Sequence, residues 1–492
     1  MVLSYINSKN EDMKLKVTNN PSRSVTQLGL WVKILHGIGQ IPNSIKTILF
    51  GIFSLYFYNT VMGLSGTLVG IATAVGLLWD AVIDPVIGTM SDTSQSRIGN
   101  RHSFMVIGAA FMGISFWAFF SPPAALSTGA LFTWLLVTNL MVRTSTSIYS
   151  IPYYALGAEL STDYHERTSV TGIRGMAGLL GTVTVVVLSF SLFFPQTLQG
   201  DPKMNVDGYW AMGLFSGLLM TSLGLLSTFG TLSYKKNNPV LQAQNKKLRH
   251  FFDNCLIAWQ NKSFRIIFIS YSIIFIGIVV NATLSIYFLT YYVEITGSTA
   301  ISIFHFSFYI GALAGVVFWM NISKTIEKSR LYFLGTLSTA MVMSCAFLFL
   351  GDGHLLGTGS MPPLCVGNGL AGFFASVFWT IPASLIADIA DQDELISGSR
   401  REGIFFGLFN FGEQIAAGAS IFITGFLIDW FAGFVPGLQP SAITVSRIGM
   451  IYSLLPAFLL AAAAFIILRY SLDRHKVLSI QLELSKDGML KK

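Results

Sequence analysis

Long apolar runs separated by short polar segments organise the chain from end to end. A membrane-crossing helix needs about 20 consecutive, mostly apolar residues. By that measure the runs predict twelve spans, at 29–58, 65–88, 102–121, 129–156, 168–194, 208–234, 263–291, 301–321, 330–350, 362–389, 402–429 and 445–470. They lack the alternating rhythm of barrel strands, and backbone in lipid must satisfy its own hydrogen bonds. The pattern therefore predicts an all-α membrane protein. Polar tails flank it at 1–28 and 471–492, and a basic linker at 235–262 divides it into halves of six helices each, 29–234 and 263–470.

Composition agrees. Of 492 residues, 52% are hydrophobic and 11% charged, too little charge for a soluble protein of this size. The first 25 residues carry no apolar stretch, so a cleavable signal peptide is not expected, and Cys255, Cys345 and Cys365 give no disulfide framework. Lys and Arg collect in loops after the even-numbered spans: Arg97 and Arg101, Arg167, Lys235 to Arg249, Lys324 to Arg330, Arg400 and Arg401. Loops after odd-numbered spans carry almost none. This bias places both termini in the cytoplasm of a multi-pass protein of the plasma (inner) membrane. It also accounts for the net charge of +7 without a nucleic-acid partner, and anionic lipid headgroups suit the linker.

The chain repeats itself. Ser150-Ile151-Pro152 recurs as Thr380-Ile381-Pro382, and Tyr56-Phe57 with Ser65-Gly66-Thr67 recurs as Tyr287-Phe288 with Thr296-Gly297-Ser298. Both matches fall at an offset of 230 or 231 residues. Two halves in parallel repeat around a central cavity resemble the major facilitator arrangement.

Within the second span, Asp80 and Asp84 lie four residues apart in Trp79-Asp80-Ala81-Val82-Ile83-Asp84-Pro85. On a helix they share one face, about 6 Å apart along the axis. Carboxylates in the hydrocarbon region are costly, and a neighbouring pair also repels itself. A bound Na⁺ or H⁺ would remove both penalties; so would a basic side chain that neutralises them permanently.

The segment from Trp79 to Gly88, followed by Ser96-Arg97-Ile98-Gly99, resembles the signature of the glycoside–pentoside–hexuronide:cation symporters, the melibiose-carrier-like group of the major facilitator superfamily. The stretches Ala387-Asp388-Ile389-Ala390-Asp391, Arg400-Arg401-Glu402-Gly403, Ile151-Pro152-Tyr153 and Glu166-Arg167-Thr168 to Arg174 resemble it as well. The resemblance implies cation-coupled symport of a glycoside or small sugar derivative. The coupling ion, Na⁺ or H⁺, would bind at Asp80 and Asp84 with help from Ser147. Ile83 stands where the family type has a polar amide, which leaves both ions open.

The implied substrate pocket departs from the sugar carriers. Ser44, Ser150 and Gln414 replace their gripping aspartates and lysine, while Trp379, Tyr154 and Arg174 stand at matching positions. Asn410, one turn before Gln414, joins the candidate lining. Arg143, Ser147, Ser150 and Tyr154 form one helical stripe on the fourth span, and His36, Gln40, Asn43 and Thr47 a second on the first. Asn43 is a candidate hydrogen-bond donor to solute. Arg143 either pairs with Asp80 or Asp84, or receives an anionic group of the solute. Lys46, next to the second stripe, has Glu413 as a candidate partner, and a lone His36 reads as structural. These cations keep a second solute class open, anionic or amphipathic and lysolipid-like. A third reading, a non-transporting membrane sensor, predicts solute binding without cation dependence. Asp92, Arg97 and Arg101, with Asp388, Asp391, Arg400 and Arg401 in the second half, read as gating latches. Neither a nucleotide loop nor a nucleophile with its base is present, so the expectation is a monomeric transporter without cofactor and not an enzyme.

Overall fold

In the computed structural model, residues 28–94, 96–161, 164–195, 201–234, 258–398 and 401–490 are described. Arg400, most of the linker and the first 27 residues lie outside them, as does the side chain of Arg167. Every apolar run is helical. The first span comprises α1 (Leu30–Ile38) and α2 (Ile41–Tyr56). Single helices follow for the next five: α3 (Gly66–Thr93), α4 (Asn100–Phe119), α5 (Thr128–Glu159), α6 (Tyr164–Phe193) and α7 (Val206–Gly230). The second set opens with α8 (Lys262–Tyr287), α9 (Ser298–Ile322) and α10 (Lys328–Phe349). Then come α11 (Met361–Ala375), α12 (Val377–Thr380) and α13 (Pro382–Ser397), followed by α14 (Glu402–Phe426). The chain closes with α15 (Ala442–Gly449), α16 (Leu455–Ile467) and α17 (Arg474–Leu490).

Ten described helices are long and apolar enough to cross a membrane. The remaining two predicted spans are helical but different in kind. The fourth, α5, is polar along its length because it carries Arg143 and a series of hydroxyl residues. The first breaks at Gly39, where a Cβ would meet Ser227 Oγ, Tyr153 and Tyr149 at 2.4–2.7 Å. The tenth predicted span is also interrupted, at Ser376 and again before Pro382, whose missing N–H suits the first turn of a new helix. The segment expected to be a polar tail forms α17, which docks on α13 through Gln481 and Asp391 (3.1 Å).

The repeat read in the sequence has a structural counterpart. α2 and α8 each end in a five-residue wide turn, Phe57–Val61 and Phe288–Tyr292, at the repeated Tyr-Phe pair. Helices α1 to α7 pack mainly on one another, as do α8 to α16, and the two groups meet where α3 crosses α14, α6 faces α9 and α2 faces α8. Small residues make the first of these crossings close. A Cβ on Gly425 would lie 2.1 Å from Gly66 O, and one on Gly70 2.9 Å from Phe422 Cα.

Hydrogen bonds joining the groups cluster at the end opposite α17. Asp429 accepts from Gly66 N (2.9 Å), Thr67 N (2.7 Å) and Thr67 Oγ1 (2.7 Å). Lys203 donates to Thr296 O (3.0 Å) while paired with Asp201 (2.7 Å). Tyr287 donates to Asn59 Oδ1 (2.8 Å) and Ser191 meets Ser302 (3.3 Å). The bundle is tied shut at that end.

Candidate functional site

The second and fourth spans bring the intramembrane charges together. α3 and α5 pack side by side, so residues at four-residue spacing on each form facing rows. Ser147 Oγ donates to Asp84 Oδ1 (2.5 Å). One turn away Arg143 Nη1 donates to Asp80 Oδ2. Of the two roles open to Arg143, the structure shows the pairing. Asp80 Oδ1 is buried and lacks a hydrogen-bond partner among the described residues. A bare carboxylate oxygen away from water is expensive, and any group that supplied it a proton or a positive charge would lower that cost.

Neighbours fix the arrangement. Asn139 Oδ1 accepts from Arg143 Nε (3.2 Å), and Asn139 Nδ2 donates to Ala72 O (2.9 Å). Trp79 Nε1 donates to Thr144 Oγ1 (2.8 Å), pinning α3 to α5 beside Asp80. Lys46 lies within electrostatic range of Arg143, Asp80 and Asp84. The expected partner Glu413 instead lies near Tyr271 of α8, in the other half.

Toward α17, a second cluster holds the candidate solute residues. Asn43 Nδ2 donates to Tyr154 OH (2.8 Å), and the Arg174 guanidinium lies 5.1 Å from the Tyr154 ring centroid. Ser44 and Gln40 border Gly178 of α6. Ser150 Oγ, between the two clusters on the α5 stripe, is buried and unpartnered among the described residues. Trp379 is 53% exposed and lies perpendicular to the Phe308 ring, their centroids 6.4 Å apart. Asn410 and Gln414 are exposed on α14 and are not drawn into either cluster. His36 is buried and stacked on Tyr153 at 4.5 Å, a packing role.

The charged loop residues pair within each half. Arg101 binds Asp92 (3.1 Å) and Glu159 (2.5 Å), and Arg97 also has a partner. Asp388 pairs with Lys328 (2.6 Å), Arg401 with Asp393 (2.8 Å), and Asp391 with Gln481. The expected grouping of Asp388 and Asp391 with Arg401 is thus replaced, because α13 turns Asp388 toward α10 and Asp393 toward the start of α14. Glu159 and Lys328 were read from the sequence only as part of the repeat and of a basic loop, and Asp393 not at all; none was expected as a latch partner. Asn139 was also missed, although it lies one turn from Arg143 on the same stripe and the spacing could have found it.

The family model described as MFS/sugar transport protein matches residues 35–474. The chain belongs to this family. Members of the MFS/sugar transport protein family are transporters, and this one resembles an isoprimeverose transporter of Lactiplantibacillus pentosus at 23% identity, over 86% of this chain and 84% of that one. It resembles the sodium-dependent lysophosphatidylcholine symporter 1-B of Danio rerio at 21% identity, over 94% and 90%. Among solved structures, the xylose transporter XylE from E. coli in its inward open conformation aligns with a TM-score of 0.61 at 15% identity, covering 92% of this chain and 98% of XylE. That likeness shows a shared fold.

Proposed function

We propose that the chain is a cation-coupled symporter for a glycoside or small sugar derivative, working by alternating access in the plasma (inner) membrane with both termini cytoplasmic. The observation that carries this reading is the Asp80–Asp84 pair: two carboxylates inside a membrane span, one oxygen of Asp80 buried and bare, Ser147 already committed to Asp84. A coupling cation entering there, Na⁺ or H⁺, supplies the missing charge. Asn43, Tyr154, Arg174, Ser44, Ser150 and Trp379 bind the solute, with Trp379 stacking on its flat apolar side. The ties around Asp429, Lys203 and Tyr287 close the periplasmic end, and the cycle alternates between breaking them and closing the cytoplasmic end, where Asp92, Arg101, Asp388 and Arg401 lie. Coupling follows if cation and solute each favour the translocating state over the alternative. The working unit is a monomer in contact with membrane lipids.

An anionic or amphipathic solute is the second reading. It is favoured by Lys46, Arg143 and Arg174 along one wall and by the lysophosphatidylcholine symporter relative. Uptake into proteoliposomes of a panel of methyl glycosides, glycosiduronates and a lysophospholipid, with and without imposed Na⁺ or H⁺ gradients, separates the two. Accumulation of a neutral glycoside supports the first reading, and selective accumulation of a charged member supports the second. Failure of any gradient to drive accumulation of a transported member would remove symport altogether.

A further inference from the structure

Sodium binds where several oxygens can close around it. The second-span aspartates begin such a set, yet one side of Asp80 is already taken. The guanidinium of Arg143 lies there in a notch made by Gly76, one turn before Asp80. A Cβ on Gly76 would fall 2.5 Å from Arg143 Nε and 2.8 Å from its Cδ. Asn139 holds the same Nε from α5 and is itself tied to the α3 backbone at Ala72. The cation is therefore positioned from both helices rather than resting on Asp80 alone.

The oxygens left over make a poor cage. They are Asp80 Oδ1, the Asp84 carboxylate and the Ser147 hydroxyl oxygen, whose proton is directed at Asp84, fewer side-chain oxygens than a hard cation gathers. A guanidinium already held against Asp80 repels a second cation brought to the same carboxylate, and in a weakly screening interior that repulsion is felt strongly.

We propose that Arg143 is the ion-selectivity residue of this transporter, a tethered cation seated in the Gly76 notch that takes sodium's place beside Asp80 and excludes Na⁺ from the aspartate pair. The inference rests on reading Asp80 and Asp84 as the coupling site and concerns only which ion they admit.

The test is thermal unfolding of the purified full chain as Na⁺ replaces K⁺ at constant ionic strength. The parent and Arg143→Lys are expected to show no sodium-specific change. Arg143→Gln is expected to gain a sodium-specific rise of about 2 °C or more, lost again in Arg143→Gln/Asp84→Asn. Gly76→Ala keeps every charge and crowds both the guanidinium and the Asn139 amide that holds it, a Cβ there falling 2.5 Å from Arg143 Nε and 2.6 Å from Asn139 Nδ2, so it carries the test if Arg143→Gln does not fold; it should gain the same response. A sodium-specific rise in the parent that vanishes in Asp84→Asn would overturn the proposal while leaving the coupling site standing. Folded Arg143→Gln and Gly76→Ala that both ignore Na⁺ would overturn it too. The coupling reading fails on a different result, gradient-driven uptake that survives Asp84→Asn.

Discussion

The carboxylate of Asp429, in the turn that ends α14, caps the first turn of α3 by accepting Gly66 N at 2.9 Å and Thr67 N at 2.7 Å. The free N–H groups and positive dipole end of a helix favour an anion there. Here the anion comes from the opposite half of the molecule, so one interaction both caps the helix bearing Asp80 and Asp84 and ties the two halves together.

Asp429→Ala therefore removes a cap and a tie together. The state open at this end should gain about 1–2 kcal/mol, the scale of a lost N-cap. Distances between spin labels placed across this end should lengthen or broaden relative to the parent. An unchanged distribution would show that the tie does not govern closure.

The α3–α14 crossing tolerates no side chain at its contact. Gly425→Val should destabilise the fold by about 1–3 kcal/mol through overpacking, read as a lower Tm. Gly172→Ala, at a position with open space around its Cβ, serves as the neutral comparison.

Tyr154→Phe keeps the ring under Arg174 and deletes only the oxygen that orients Asn43. About 1 kcal/mol of a lost hydrogen bond predicts a several-fold rise in solute KM with little change in Tm. A lowered Tm at unchanged KM would assign the pair to stability instead.

Asp473 precedes α17 and accepts from Lys476 N at 2.8 Å, and that backbone bond holds its carboxyl below the usual carboxylate range. A carboxyl depressed in the folded state contributes above its unfolded pKa and is lost as pH falls through its folded value. The amides of α17 should thus lose protection, relative to their intrinsic exchange rate, as pH falls below about 4. In Asp473→Ala they should exchange fast at every pH.

Much of this was legible before any coordinates. The helices follow from run length, the Asp80–Asp84 pair from its four-residue spacing on a helix in lipid, and the place of Ser147 beside it from the resemblance to the symporter family. What escaped depends on contacts between distant segments. Asp429 meets Gly66 across more than 360 residues, and a lone aspartate at a span end carries no local sign of its partner. Gly76 matters only because Arg143 lies over it. The break at Gly39 answers to Tyr149, Tyr153 and Ser227, crowding that no periodicity along the first span encodes. Asp388 was recognised as charged and close to the loop, but its partner Lys328 is set by how α13 rotates after the interruption at Pro382.

The account rests on Asp84 as the carboxylate through which an ion gradient drives solute. The most direct measurement is accumulation of a transported panel member in proteoliposomes under an imposed inward proton gradient, for the parent and Asp84→Asn. The account predicts concentration above the outside level in the parent, and only equilibration in the variant. Equal accumulation by both, or equilibration without accumulation in the parent under every imposed gradient, would contradict it.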